Sequence, residues 1–363
     1  MEYFKEGSNF TLGAELELQI VDKNSLELAS KSKLILENIS TNLKPYIQPE
    51  YLQSMIEIIT PVFKTPQEVI FFLKKILKEI IDIGNNFNFS FLALGTTPTK
   101  IPKNIKITED IRYQKLLEEF QIVLRRFFIY GFHIHIGVPN KDIAINVYNA
   151  LINYLPCLIA ISASSPFFEG IFTGLQSYRT KIFEQLPRAD IPQYFESYKD
   201  FKELVDILKK TKIIQKYKDI WWDVRIRPDL GTVEVRVTDA NPDFLRLELI
   251  LAFVQGIAYY YADKKIKKEY YQVLKQNKWN AARHGYSGKF ISSSSTVTIG
   301  KKCLELLKLF ENKGIFKKFD FDIKKIKTFE NLLTEKNIAE KMIKEYQNTA
   351  NLKEAMKLGT CKV

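Results

Sequence analysis

Three stretches of this chain place ionisable side chains at every second residue, and a fourth sets one carboxylate between apolar neighbours. Glu15 and Glu17 stand in TLGAELELQIVD (11–22), Glu57 in SMIEIITPV (54–62), His133 and His135 in YGFHIHIGVP (130–139), and Glu234 and Arg236 in GTVEVRVTD (231–239). Carboxylate oxygens joined by one or two imidazoles suit Mg²⁺, or Mn²⁺, serving a polyphosphate. Zinc fits less well, because carboxylates dominate and no cysteine stands near these stretches. An imidazole pair one residue apart can also contact phosphate directly. The chain has neither a Walker A motif nor a glycine-rich phosphate loop. Any ATP must therefore be held by metals and arginines on an open surface. With the phosphates neutralised in that way, Arg236 and Arg225 could stabilise the charge that develops during phosphoryl transfer.

Strands are the elements that would position these groups. Ala14, Leu16, Leu18 and Ile20 alternate with Glu15, Glu17 and Gln19, the pattern of a strand with one buried face. Phe132, Ile134, Ile136 and Val138 alternate in the same way with the two histidines. Residues 221–242 read as a hairpin turning at Pro228-Asp229-Leu230-Gly231, which would set Arg227 opposite Thr232, Arg225 opposite Glu234 and Asp223 opposite Arg236. Taken singly, each strand also has a plainer reading: an exposed edge strand, satisfied structural histidines, or surface ion pairs worth ~0–1 kcal/mol. What separates the readings is whether the polar faces share one sheet. Glu50 precedes Glu57 by seven residues, an odd offset that sends it to the opposite side of a regular strand unless the chain bends between them.

The connecting segments are mostly helical. Thr65-Pro66-Gln67-Glu68 is a capping box opening an amphipathic helix that stops near Gly84. A short strand at 90–94 runs into the loop Gly95-Thr96-Thr97-Pro98, and 109–128 has helical periodicity. Asn140 caps an apolar helix through Ile161 that Pro156 should kink, and the Ser/Gly/Pro loop after it delivers Tyr178, Arg179 and Lys181. A Lys-rich helix over 197–218 and a buried helix over 243–263 flank the hairpin. NKWNAARHGYSG (277–288) then sets Trp279 and Arg283 four residues apart on one helical face. From Lys301 onward helices and a frayed tail are expected. The domain reading is a catalytic unit over 1–300 with a helical extension, 301–363, packed on it.

A chain of 363 residues with 46% hydrophobic content can bury a large core. The formal net charge of +12 suits anionic metabolites such as nucleotides. Much of the excess is Lys scattered through the last hundred residues without an aromatic platform, which argues against nucleic acid. Cys157, Cys303 and Cys361 are odd in number and widely separated, so neither a disulfide framework nor a CxxC metal site is available, and a reducing cytoplasm is favoured. The acidic N-terminus, broken by Gly7, does not read as a signal peptide, and no uninterrupted apolar run reaches the length of a membrane span.

The ordered series TLGAELELQIVD, SMIEIITPV, GTTP, RYQKLLEEF, GFHIHIGVP, LIAISASSP, WWDVRIRPDLGTVEVRVTD and NKWNAARHGYSG resembles the type 2 glutamate–cysteine ligase family of carboxylate–amine ligases. The resemblance implies an α+β, glutamine synthetase-like fold: a cupped, mainly antiparallel sheet backed by helices, with ATP and Mg²⁺ on the sheet. It implies phosphorylation of the glutamate side chain by ATP, followed by attack of an amine, typically that of cysteine, on the acyl phosphate. Carried over by position, it makes Glu15, Glu17, Glu50, Glu57, His133 and Glu234 metal ligands and sets Arg236 on the phosphates. Arg179, Arg225 and Arg283 would take the substrate carboxylates or the transferred phosphoryl group, and His135 and Trp279 complete the binding set. The family spacing between two acidic ligands favours Glu50 despite its parity. Two positions depart from the family pattern: Thr97 stands where relatives often have histidine, and Arg227 where a small polar residue is common. Small-molecule substrates are the expected partners, with a homodimer possible and neither nucleic acid nor membrane. A different amine acceptor and a guanidino phosphotransferase of related fold are the competing readings.

Overall fold

Period-two alternation builds one seven-stranded sheet from β1 (Leu12–Asp22), β2 (Ile47–Pro49), β3 (Met55–Ile59), β4 (Phe89–Leu92), β5 (Phe132–Gly137), β6 (Val224–Arg227) and β7 (Thr232–Val235). The computed structural model describes residues 4–6 and 8–362. Residues 1–3, Gly7 and Val363 lie outside the described residues, and with them the reading of the N-terminus that turned on Gly7. The strand order is β6-β7-β5-β1-β3-β2, antiparallel throughout. β5 pairs with the first half of β1, from Leu12 to Leu16, and β4 with the last part, from Gln19 to Asp22.

The hairpin register is the one expected from its turn, with Arg225 opposite Glu234 and Arg227 opposite Thr232. β2 and β3 also form a hairpin, in which Gln48 lies opposite Glu57 and Pro49 opposite Ile56. Glu50 and Glu57 therefore sit on either side of a turn rather than along one strand, so strand parity does not apply to them.

Five helices matter for the site. They are α1 (Pro66–Asn86), α2 (Ile111–Arg125), α3 (Lys141–Ser162), α4 (Phe244–Tyr261) and α5 (Tyr271–His284). α1 starts on the expected capping box: the Thr65 hydroxyl accepts from Glu68 N and the Glu68 carboxylate from Thr65 N. α1 and α4 pack on each other, and α3 packs on α4, α5, β6 and β7. Leu12, Leu16, Leu18 and Ile20 of β1 and Ile134 and Ile136 of β5 are at most 1% exposed. The apolar side of the sheet thus belongs to the core, and the polar side is left for chemistry.

α3 and α4 are long and apolar enough to cross a bilayer by length and composition, but 83% and 72% of their most apolar windows are buried against protein, which leaves the expectation of no uninterrupted membrane-length run in place. Two expectations are corrected here. The tail is not frayed as far as Lys362, because Ala93 N donates to Gly359 O and Cys361 N to Phe91 O, adding the end of the chain to the edge of β4. In the expected Asp223–Arg236 pair the backbones are opposed, with Arg236 N donating to Asp223 O at 2.8 Å, but the side chains bind elsewhere. The last helices are tied in by wholly buried Arg246 of α4, which donates to Tyr286 Oη and to the carbonyls of Leu332 and Lys336.

Candidate active site

The registers of β1, β3, β5, β6 and β7 bring the polar faces together. Glu15 lies across from His133, Glu17 from Glu57, and Glu234 from both His135 and Arg225. Glu15 bridges the two histidines: His133 Nδ1 is 3.2 Å from its Oε2 and His135 Nε2 is 3.2 Å from its Oε1. His135 Nε2 also lies 3.6 Å from Glu234 Oε2. Two sets of ligand atoms, from Glu15, Glu57 and His133 and from Glu15, His135 and Glu234, each fall within 4.8 Å of one another, close enough to share an ion. His135, expected as a cofactor contact, thus takes a place in the second set.

Charge in this cluster divides by neighbour. Burial alone would raise the Glu234 carboxyl, but Arg225, His135 and Arg236 outweigh it and hold it well below the usual range. Burial is likewise overruled at Glu15, which the hydrogen bonds to His133 and His135 hold well below its ordinary value. Glu57 goes the other way, pushed well above its ordinary value by burial and then by the charges of Glu15, Glu50 and Glu17. Burial also raises Glu50, and it lifts Glu17 to about 7 despite the attraction of Arg179. His133 is held down to about 3 by burial and by Arg236, so its ring is neutral. Crowded carboxylates of this kind are what a divalent cation relieves, and the oxygen-rich, imidazole-containing donor set fits Mg²⁺ or Mn²⁺.

A cavity of about 270 Å³ opens over this floor. Glu15, Glu17, Glu50, Glu57 and His133 line it together with Arg179, Arg225, Arg227 and Arg236, and Leu116, Phe127, Phe183 and Trp221 form an apolar wall. Glu50 enters from the turn before β3, its Oε2 accepting from Tyr113 Oη at 3.2 Å. Arg225 grips wholly buried Glu234 through Nε at 2.7 Å and Nη2 at 2.9 Å, and its Nη1 donates to the carbonyls of Lys218 and Ile220. Four of its five N–H groups are spent on the protein, so Arg225, expected as a catalytic group, is placed as a brace for Glu234. Arg236 gives only Nη1 to Glu234, at 2.6 Å, and Arg179 only its two Nη groups, to His133 Nε2 and Arg236 O. The buried Nε atoms of Arg179 and Arg236 have no partner among the described residues. Leaving such donors unpaired is costly unless an anionic ligand takes them.

α5 does not deliver the two residues expected from it. Trp279 is 43% exposed and covers Lys181, and Arg283 is exposed; neither lines the cavity. Thr96 and Thr97 of the GTTP loop are buried and bind Phe167 O and Tyr130 Oη, away from the cavity lining. The sequence reading missed Arg112, Tyr113 and Lys218 in the lining, and Asp239 behind it. Asp239 accepts from Ser164 N, Ser165 Oγ and Ser177 Oγ, while Ser165 Oγ accepts from Arg179 N, so this one acid holds the loop that presents Arg179. An acid in TDANP directly after a buried strand was the available signal, but its partners lie more than sixty residues away in sequence.

Comparison with known proteins gives the chain its family. The chain is 33% identical over 314 residues, 85% of its own length and 82% of the relative's, to a Legionella pneumophila protein carrying the provisional name glutamate–cysteine ligase 2-1. It is 36% identical over 299 residues, 80% of its length and 78% of the relative's, to a Herpetosiphon aurantiacus protein provisionally named glutamate–cysteine ligase 2. Among solved structures, a glutamate–cysteine ligase from Francisella tularensis in complex with AMP matches 98% of this chain and 88% of its own, with a TM-score of 0.69 and 16% identity. A bifunctional glutathione synthetase from Pasteurella multocida matches 98% of this chain but 52% of its own longer one, with a TM-score of 0.71 and 15% identity. An ATP-dependent ligase on a glutamine synthetase-like fold is what the sheet, the site and these relatives define. The model of glutamate–cysteine ligase family 2 matches residues 11–320, and the chain belongs to that family.

Proposed function

We propose that this enzyme joins the side-chain carboxylate of L-glutamate to the amine of L-cysteine, forming γ-glutamylcysteine with ADP and phosphate. The observation that carries the reading is the meeting of a carboxylate–imidazole floor with two buried arginines whose Nε–H groups have no protein partner. Glu15, Glu17, Glu50, Glu57, His133 and Glu234, with His135, would hold Mg²⁺, which supplies charge neutralisation for the phosphates. ATP supplies the phosphoryl group that makes the carboxylate an acyl phosphate, from which the amine displaces phosphate. Arg179 and Arg236 direct their free N–H groups at phosphate oxygens and stabilise charge as it develops. Arg225 holds Glu234 ionised and oriented, and the apolar wall excludes water that would hydrolyse an activated carboxylate. Three free, buried cysteines suit a reducing cytoplasm.

A different amine acceptor is the second reading, favoured by Arg227, whose guanidinium lines the cavity 3.5 Å from Glu234. The test is phosphate release and product mass with glutamate, Mg-ATP and a panel of amino acids and amines. Release that requires both glutamate and cysteine, with a product of amide mass, supports the first reading. Strict dependence on another amine moves it to the second, and steady turnover without any amine removes both.

A further inference from the structure

The buried face of α5 carries a lysine that the activity has not yet absorbed. Lys278 is 1% exposed, and its Nζ lies 2.6 Å from Asp223 Oδ2, 2.8 Å from Asp190 Oδ1 and 3.5 Å from Glu184 Oε2. Each of these acids belongs to a segment that builds the cavity. Glu184 follows Arg179 and Phe183, Asp190 ends the stretch containing Leu186, and Asp223 precedes Arg225. Asp190 is held at a φ of 82°, a region L side chains rarely adopt, with its other oxygen 2.6 Å from Lys275 Nζ.

Asp223 matters most. Its carbonyl accepts from Arg236 N, so the two residues stand opposite across the hairpin, where side chains of opposite charge ordinarily pair. Arg179 is also close enough to feel the charge of Asp223. Yet the Asp223 carboxylate turns to Lys278, and Arg236 Nε stays without a partner among the described residues. We infer that Lys278 is a positioning residue: by occupying Asp223 it diverts that carboxylate from Arg236 and Arg179 and leaves their N–H groups free for the phosphates of the nucleotide. The inference rests on the proposed use of ATP.

The test is calorimetric titration of the full-length protein and its variants with a non-hydrolysable Mg-ATP analogue, with melting curves for each. Lys278→Arg, which keeps the cation, should bind like the wild type. Two double variants carry the same change in charge: Lys278→Met/Asp223→Asn removes the competing carboxylate, whereas Lys278→Met/Asp190→Asn leaves it to capture Arg236. The first should bind within about threefold of the wild type and the second about tenfold or more weakly, the worth of a charge-assisted hydrogen bond. Lys278→Met alone should behave like the second, and the pair decides the matter if that single variant does not fold. Equal weakening of both double variants, in step with their melting temperatures, would mean a merely structural lysine and overturns the inference. A wild-type protein that binds no nucleotide overturns the proposed function and this inference together, and the first titration shows it.

Discussion

Glu57 faces opposite demands in the two states of its site. Without a cation its carboxyl is raised by burial and by Glu15, Glu50 and Glu17, so ionising it costs the folded protein stability; as the metal ligand of the proposed function it would have to be ionised. Glu57→Gln mimics the protonated form. The variant should melt at or above the wild-type temperature without divalent cation, with a difference that grows as pH rises, and should lose most of the stabilisation that Mg²⁺ confers. Thermal melts at two pH values with and without Mg²⁺ check both signs. Glu234 predicts the reverse, because it is wholly buried among Arg225, Arg236 and Arg227. Glu234→Gln leaves those cations without their anion and should cost about 3 kcal/mol of stability in urea unfolding. On the proposed function turnover should fall about a hundredfold with it, since a proposed metal ligand and the anchor of Arg225 are lost together.

Elements position these residues through a few close approaches. β5 begins just after Gly131, whose N–H donates to Glu17 and whose carbonyl accepts from Glu17 N. A Cβ at Gly131 would run into Arg179 Nη2 and His133 Nε2, both buried and hydrogen-bonded to each other. Gly131→Ala should therefore lower kcat by tenfold or more, roughly the cost of misplacing a substrate-positioning group, and cost about 1–3 kcal/mol of stability through overpacking; parallel activity and unfolding measurements read the two. At Gly95 the obstruction is the carboxylate of Asp239 itself, which anchors the Arg179 loop. The strand faces were legible because a buried face enforces period two, and a one-residue slip would bury Glu15 and Glu17 in the core. The inward face of α5 was not. Trp279, Arg283 and Lys278 all lie on a short amphipathic helix, and nothing local shows that the core accepts a lysine because three acids from distant segments meet it there.

Across the whole molecule, the proposed function sets cation binding and proton binding in competition for the same floor. Glu17 is raised to about 7, and Glu57 and Glu50 are raised as well, so in the cation-free protein these carboxyls keep protons that an unfolded chain has already released above its ordinary value near 4.5. Each such proton stabilises the folded state at low pH, and that contribution is lost as pH rises through the folded value. A cation must displace these protons. Mg²⁺ should therefore raise the melting temperature little below pH 6 and progressively more as pH passes about 7, whereas an ion bound to surface carboxylates of ordinary acidity would stabilise about equally across that range.

What the amino-acid sequence determined alone was local: strand faces, the capping box at Thr65, the turn at 228–231 and hence the Arg225–Glu234 register, each dictated by side chains within a few residues. Tertiary structure decided which arginine is spent on Glu234 and which keeps a free N–H group. It also decided that Glu50 enters from across a hairpin, that two membrane-length apolar helices lie inside the core, and that Asp223 belongs to Lys278. Those outcomes turn on which distant group reaches a buried charge first. In a low-dielectric interior the nearest well-placed partner wins, and chain order carries no record of that distance.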